Sequence, residues 1–209
     1  RAEYPPAVPH LSIEDTGEGR PVVLLHGLTA TKRYVVMGST ALQRTGHRVV
    51  AYDARGHGAS APAPTPSAYT YADLAGDLLA VMDDRGIDRA VLAGASMGAH
   101  TILRVALEHP ERVAGLCVIT PAYAPDEADD PARLAWWDGL SDGLRTGGID
   151  GFLAAYGDPG VPERWRETVT KVIRQRLSLH EHPDAVADAL RVVPRSRPFG
   201  DLDALGDIA

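Results

Sequence analysis

The chain has 209 residues, 44% of them hydrophobic and 23% charged, and 28 acidic against 21 basic side chains leave a formal net charge of −7. This is the composition of an ordinary soluble globular protein, long enough for one domain with a substantial core and an insertion; its acidity and lack of a basic tract exclude nucleic acid as the expected partner. No stretch approaches the roughly 18 apolar residues of a membrane span, residues 1–10 lack the apolar centre of a signal peptide, and a single cysteine, Cys117, leaves no internal disulfide, so a cytoplasmic protein is expected.

Residues 11–14 alternate in polarity and lead into Gly17 and Gly19, the pattern of a short strand and a turn. Residues 21–26 are apolar enough to lie buried on both faces, as central parallel strands do, and end in a loop of His26, Gly27, Leu28 and Thr29. A helix is predicted over 31–44 with Gly46 as its stop. A third strand covers 48–52, and a glycine-rich loop over 53–60 leaves it, extended by the Ala/Pro/Thr run at 61–66. Over 72–85, Leu74, Ala75, Leu78, Leu79 and Met82 share one helical face, and Gly86 ends the helix.

Val91, Leu92 and Ala93 mark a short buried strand, and Ala99, Ile102, Leu103 and Ala106 recur at helical spacing just beyond it. Residues 113–120 form the next strand, in which Cys117 reads as a small core residue and not as a reactive thiol. Alternating strands and helices predict an α/β fold, a mostly parallel sheet covered by helices on both faces. Ligands of such sheets bind beyond the carboxyl ends of the strands, where His26, Asp53, Ser96 and Thr120 fall. From 121 to 196 the chain turns charged and helical, with candidate helices over 131–145, 148–156, 162–179 and 184–192. The predicted organisation is a core over 1–120, a helical insertion over 121–196 and a return segment over 197–209.

Between the strand at 91–93 and its helix stand Gly94, Ala95, Ser96, Met97 and Gly98, a G-x-S-x-G element. Such a serine sits on a sharp, strained turn that lifts its hydroxyl above the end of the sheet. Glycine on either side lets strand and helix approach closely. Together with the His26–Gly27 loop and the run Asp53, Arg55, Gly56, His57, Gly58, Ser60, this element resembles the α/β-hydrolase superfamily. Within that superfamily the chain is most similar to the capped serine esterases, lactonases and carbon–carbon bond hydrolases, including the enol-lactonase type.

The resemblance implies that Ser96 is a nucleophile and that the backbone amides of Leu28 and Met97 form an oxyanion hole, in which two fixed donors stabilise a tetrahedral intermediate. It implies that the insertion is a cap, with Trp136, Trp137 and Tyr123 as candidate substrate contacts. Serine at position 96, where haloalkane dehalogenases and epoxide hydrolases use a carboxylate, argues against those chemistries. The implied substrate is a small-molecule ester or lactone, handled without metal or cofactor. In this family the acid and the histidine follow the serine in sequence. Residues 197–209 resemble the link before the next strand, so both groups are expected beyond Ala209, in about 60 further residues.

Residues inside the chain offer weaker candidates. His100, four residues after Ser96, reads as a polar residue packed against the sheet or insertion; His57 reads as a loop-fixing residue, His26 as shaping the oxyanion loop, and His109 as marking a helix end. His180 and His182 are two apart, which on a helix puts them on different faces, unlike the four-residue offset of a zinc pair. Asp53 reads as a loop-structuring carboxylate paired with Arg55, and Pro121 and Ala122 offer no acid after the strand at 113–120. Three readings follow: ester or lactone hydrolysis through an acyl-enzyme; acyl transfer or carbon–carbon cleavage with the same serine; and, for a complete chain of 209 residues, a non-catalytic binding protein of the same fold. The oligomeric state is open.

Overall fold

A five-stranded sheet carries the molecule, in the order β1, β3, β2, β4, β5. The computed structural model describes residues 8–123, 125 and 128–208. The strands are β1 (Ile13–Thr16), β2 (Arg20–Leu25), β3 (His47–Tyr52), β4 (Ala90–Ala95) and β5 (Val113–Ile119). Only β1 runs antiparallel, against β3; every other pairing is parallel.

The period of two along each strand divides the core. Val23, Leu25, Val50, Tyr52 and Leu92 face α2 (Tyr71–Asp84) and α3 (Met97–Glu108), where Leu78, Met82, Ile102 and Val105 complete the larger cluster. Val22, Leu24, Val49, Ala51 and Ala93 face the other way, against Val35, Val36 and Leu42. α2 starts at a capping box in which Thr70 and Asp73 satisfy each other's amides.

The continuous helix expected over 31–44 is not formed. A 3-10 turn (Lys32–Tyr34) is separated from the four-residue α1 (Ala41–Arg44) by Met37 and Gly38, at φ 50° and 73°. Two consecutive left-handed residues cannot propagate a right-handed helix. Cys117 is also not a core residue: it is exposed. Leu116 turns inward to the cluster under α3, which sends Cys117 to the opposite face of β5, where no helix among the described residues covers it.

The remaining helices are α4 (Pro131–Tyr156), α5 (Glu163–Leu177) and α6 (Pro183–Val192), at the positions the periodicity predicts. α4 breaks at Gly148, whose φ of 59° and ψ of −147° fold its second half back on the first. The two halves cross where Gly143 meets Gly151, and a side chain at either would run into the other's carbonyl. Leu140, Leu144, Phe152, Ile173, Leu177 and Leu190 form a separate core for α4, α5 and α6. Ala185, Ala189 and Val193 join it to the sheet domain by packing on Ala54, Tyr71, Leu74 and Met97. Among the described residues no helix is long and apolar enough to cross a membrane.

Candidate active site

β4 ends in the turn that carries Ser96, whose φ of 50° and ψ of −112° are uncommon for any residue with a side chain. Such a conformation costs on the order of 1–3 kcal/mol and persists only where its surroundings dictate it. Here the Ser96 amide donates to the Ile119 carbonyl at 3.0 Å, its carbonyl accepts from His100 at 3.1 Å, and the Gly98 amide donates to His26 oxygen at 3.1 Å. The flanking glycines are obligatory on steric grounds. A Cβ on Gly94 would strike the Gly98 carbonyl, and one on Gly98 would strike the Leu25 backbone.

The loop after β2 faces this turn. His26 donates from Nδ1 to the Gly27 carbonyl at 2.8 Å and accepts the Ala54 amide on Nε2 at 2.9 Å. That pattern requires a neutral ring, and burial holds the His26 pKa down at about 4. The Ala30 amide closes a turn on the Gly27 carbonyl at 3.0 Å, with Thr29 at φ 66°. Neither the Leu28 nor the Met97 amide donates to a loop or turn carbonyl among the described residues.

The strained Thr29 is gripped from α5 and the link that follows it. Arg176 donates to its hydroxyl at 2.8 Å and His180 Nε2 to its carbonyl at 3.0 Å. His180 also accepts the Gly58 amide on Nδ1 at 2.8 Å, so one ring ties the loops after β2 and β3 together. His180 and His182 lie in the link between α5 and α6, His182 capping α6, not on the faces of a helix. His57 is wedged between His26 and His180, ring centroids 5.2 and 5.5 Å away, and donates to the Arg55 carbonyl. Burial lowers the pKa of both His57 and His180.

Asp53 does not pair with Arg55. Its carboxylate accepts the Lys32 amide at 2.8 Å and the Lys32 ammonium at 2.9 Å, bracing the loop after β2. The Arg55 side chain, 1% exposed, instead passes beneath α2, where Nε and Nη2 grip the carboxylate of Asp77 at 2.7 Å each. A guanidinium so deeply buried needs its counter-charge on the same side, and α2 supplies it.

Ser96, Leu28, Met97, Tyr123, Trp136 and Trp137 line one cavity of about 300 Å³. The two tryptophan rings meet at 4.9 Å, nearly perpendicular. His100 shares the wall but is not bonded to the serine: Nδ1 lies 3.0 Å from the Tyr71 hydroxyl, while Nε2 accepts the amides of Ala122 and Tyr123 at 3.1 Å each. Burial first, then the charge of Arg133, bring the His100 pKa down to about 4. Tyr71, Arg133 and Ser196 also line the cavity, and no motif singles them out. For Arg133 a signal existed, since it precedes Trp136 and Trp137 by three and four positions and so shares their helical face.

Residues 20–145 match the family model of the alpha/beta hydrolase fold. Over 107 residues, 51% of this chain and 30% of that protein, the sequence is 36% identical to epoxide hydrolase B of Mycobacterium tuberculosis. Among solved structures, a thermophilic esterase from Thermogutta terrifontis is similar at a TM-score of 0.72 and 29% identity, covering 90% of this chain and 68% of that one. The enol-lactonase from Burkholderia xenovorans is similar at 0.71 and 25%, covering 89% and 70%. The chain spans less than half the length of the curated relatives it matches. With its mostly parallel sheet, the strained serine at the end of β4 and a matching family model over more than half its length, the chain belongs to the alpha/beta hydrolase fold family.

Proposed function

We propose that the full-length protein is a serine hydrolase that cleaves a carboxylic ester or lactone through an acyl-enzyme on Ser96. The carrying observation is the strained turn at Ser96, opening into a cavity that Leu28 and Met97 also line. In this reading the Ser96 hydroxyl attacks the carbonyl carbon, and the oxyanion takes hydrogen bonds from the Leu28 and Met97 amides. The N-terminus of α3 adds its positive dipole end. α4, α5 and α6 act as a cap over the core, and Trp136, Trp137 and Tyr123 hold the apolar part of the substrate. Relatives bearing the same fold differ in chemistry, and a serine instead of a carboxylate at the turn selects ester or lactone cleavage over epoxide opening.

A serine hydroxyl at neutral pH needs a base within hydrogen-bond reach. His100 has both ring nitrogens engaged elsewhere, so we assign the base and its acid to sequence following Ala209. Incubating full-length protein with an active-site-directed fluorophosphonate tests the reading. Label on Ser96, and its loss together with activated-ester hydrolysis in Ser96→Ala, is the expected result; label elsewhere, or normal hydrolysis by that variant, overturns it. The rival is a non-catalytic binding protein of the same fold, in which the serine turn is kept without a base. A full-length protein that binds small esters in the cavity without becoming labelled would establish the rival.

A further inference from the structure

We propose that the cavity takes esters or lactones that carry a free carboxylate, and that the guanidinium of Arg133 is the anchor for it. This rests on the reading of the cavity as the hydrolase site and names the substrate class. Among the described residues lining the cavity, Arg133 is the one with a formal charge, in a chain whose acidic side chains outnumber the basic. The other walls are aromatic or aliphatic, apart from hydroxyls and the neutral His100. A volume of about 300 Å³ is at the small end for a ligand site, which suits a short acyl chain ending in a compact charged group.

The guanidinium is held in place without being used up. Its Nη1 donates to the carbonyls of Ala128 and Pro194, each at 3.3 Å, and so fixes the group between the start of α4 and the segment after α6. Among the described residues, Nε and Nη2 have no partner and no carboxylate pairs with the group. That free edge is the one this protein uses for carboxylates elsewhere: Arg55 takes Asp77, and Arg48 takes Asp15, through Nε and Nη2. The planar fork matches a carboxylate bidentately. The charge also acts inside the cavity. After burial it is the next cause of the lowered His100 pKa, and it opposes the burial that raises Tyr71.

The test compares kcat/KM of the full-length protein for p-nitrophenyl hydrogen glutarate and the uncharged p-nitrophenyl pentanoate. The wild type is expected to favour the charged ester, and Arg133→Gln to lower the charged-to-uncharged ratio about tenfold to a hundredfold, the worth of a charge-assisted pair. Arg133→Lys, a point charge without the fork, falls between them. An unchanged ratio in Arg133→Gln, or a wild-type preference for the uncharged ester, overturns the proposal; an equal loss on both esters assigns Arg133 a purely structural role and overturns it too. Glutarate alone, titrated against the fluorescence of Trp136 and Trp137, is expected to bind the wild type and to bind Arg133→Gln at least tenfold more weakly. If neither ester is cleaved, the acyl-enzyme reading fails by itself. The titration then decides the anchor, with no binding counting against it.

Discussion

Tyr71 and His100 meet on the cavity wall with the phenol oxygen 3.0 Å from Nδ1 and the rings nearly perpendicular. Because Nε2 accepts two amides, the proton resides on Nδ1 and is donated to the phenol. A neutral imidazole has one lone pair, and here it is spent on Ala122 and Tyr123. The histidine nearest to Ser96 in sequence is therefore a brace for the segment after β5.

Removing that brace separates the two roles. His100→Ala is expected to slow fluorophosphonate labelling of Ser96 less than tenfold, well short of the about 10²–10⁴-fold that loss of a general base costs. Its stability should fall by about 1–3 kcal/mol, since a phenol and two amides lose their partner. Labelling rates and urea unfolding of the full-length variant check both numbers.

The serine turn has no room for a methyl group. In Gly98→Ala the new Cβ meets the Leu25 backbone, and crowding of this kind costs about 1–3 kcal/mol. Because the displaced element is the first turn of α3, labelling of Ser96 should fall more than tenfold even in the folded fraction. Parallel unfolding and labelling measurements separate the two effects.

The Arg55–Asp77 pair, 1% and 0% exposed at the side chains, is expected to punish half-removal. Asp77→Asn leaves the buried guanidinium with only the longer 3.4 Å ion pair to Asp73 and should destabilise the protein by about 3–5 kcal/mol. Replacing both partners, as Arg55→Met with Asp77→Leu, should recover most of that loss. Chemical denaturation of the single and double variants gives the answer directly.

Acidification should loosen the fold from its histidines. His26 and His100 have pKa values near 4 in the folded protein, chiefly through burial, against about 6.5 in an unfolded chain. The unfolded state thus binds more protons between those values, and stability falls as pH drops from about 6.5 to about 4. Each of the two contributes about 3 kcal/mol of loss by pH 4, and His57 and His180, shifted the same way by burial, add to it. Melting temperatures measured across this range should decline steeply; a flat profile would contradict the buried, neutral assignment.

Features with a repeating or steric logic were legible in the chain itself. The strand runs, α2, the serine turn with its glycines and the helices beyond residue 130 all announce themselves by spacing, because burial and backbone strain are local constraints. Relations set by tertiary docking were not. Nothing local says that Asp53 turns to Lys32 while Arg55 turns to Asp77, or that His180 crosses 122 and 151 residues to reach Gly58 and Thr29. Residues 31–44 carry a helical pattern that fails at Met37 and Gly38, and the apolar run around Cys117 does not reveal which of the strand's two faces is covered.

The amide of Ser96 hangs on the carbonyl of Ile119, the last residue of β5. β5 in turn pairs in parallel with β4, the strand that carries the serine turn. The footing of the serine is thus borrowed from a neighbouring strand: a change in the register of β5 against β4 would carry the hydroxyl out of line with the Leu28 loop.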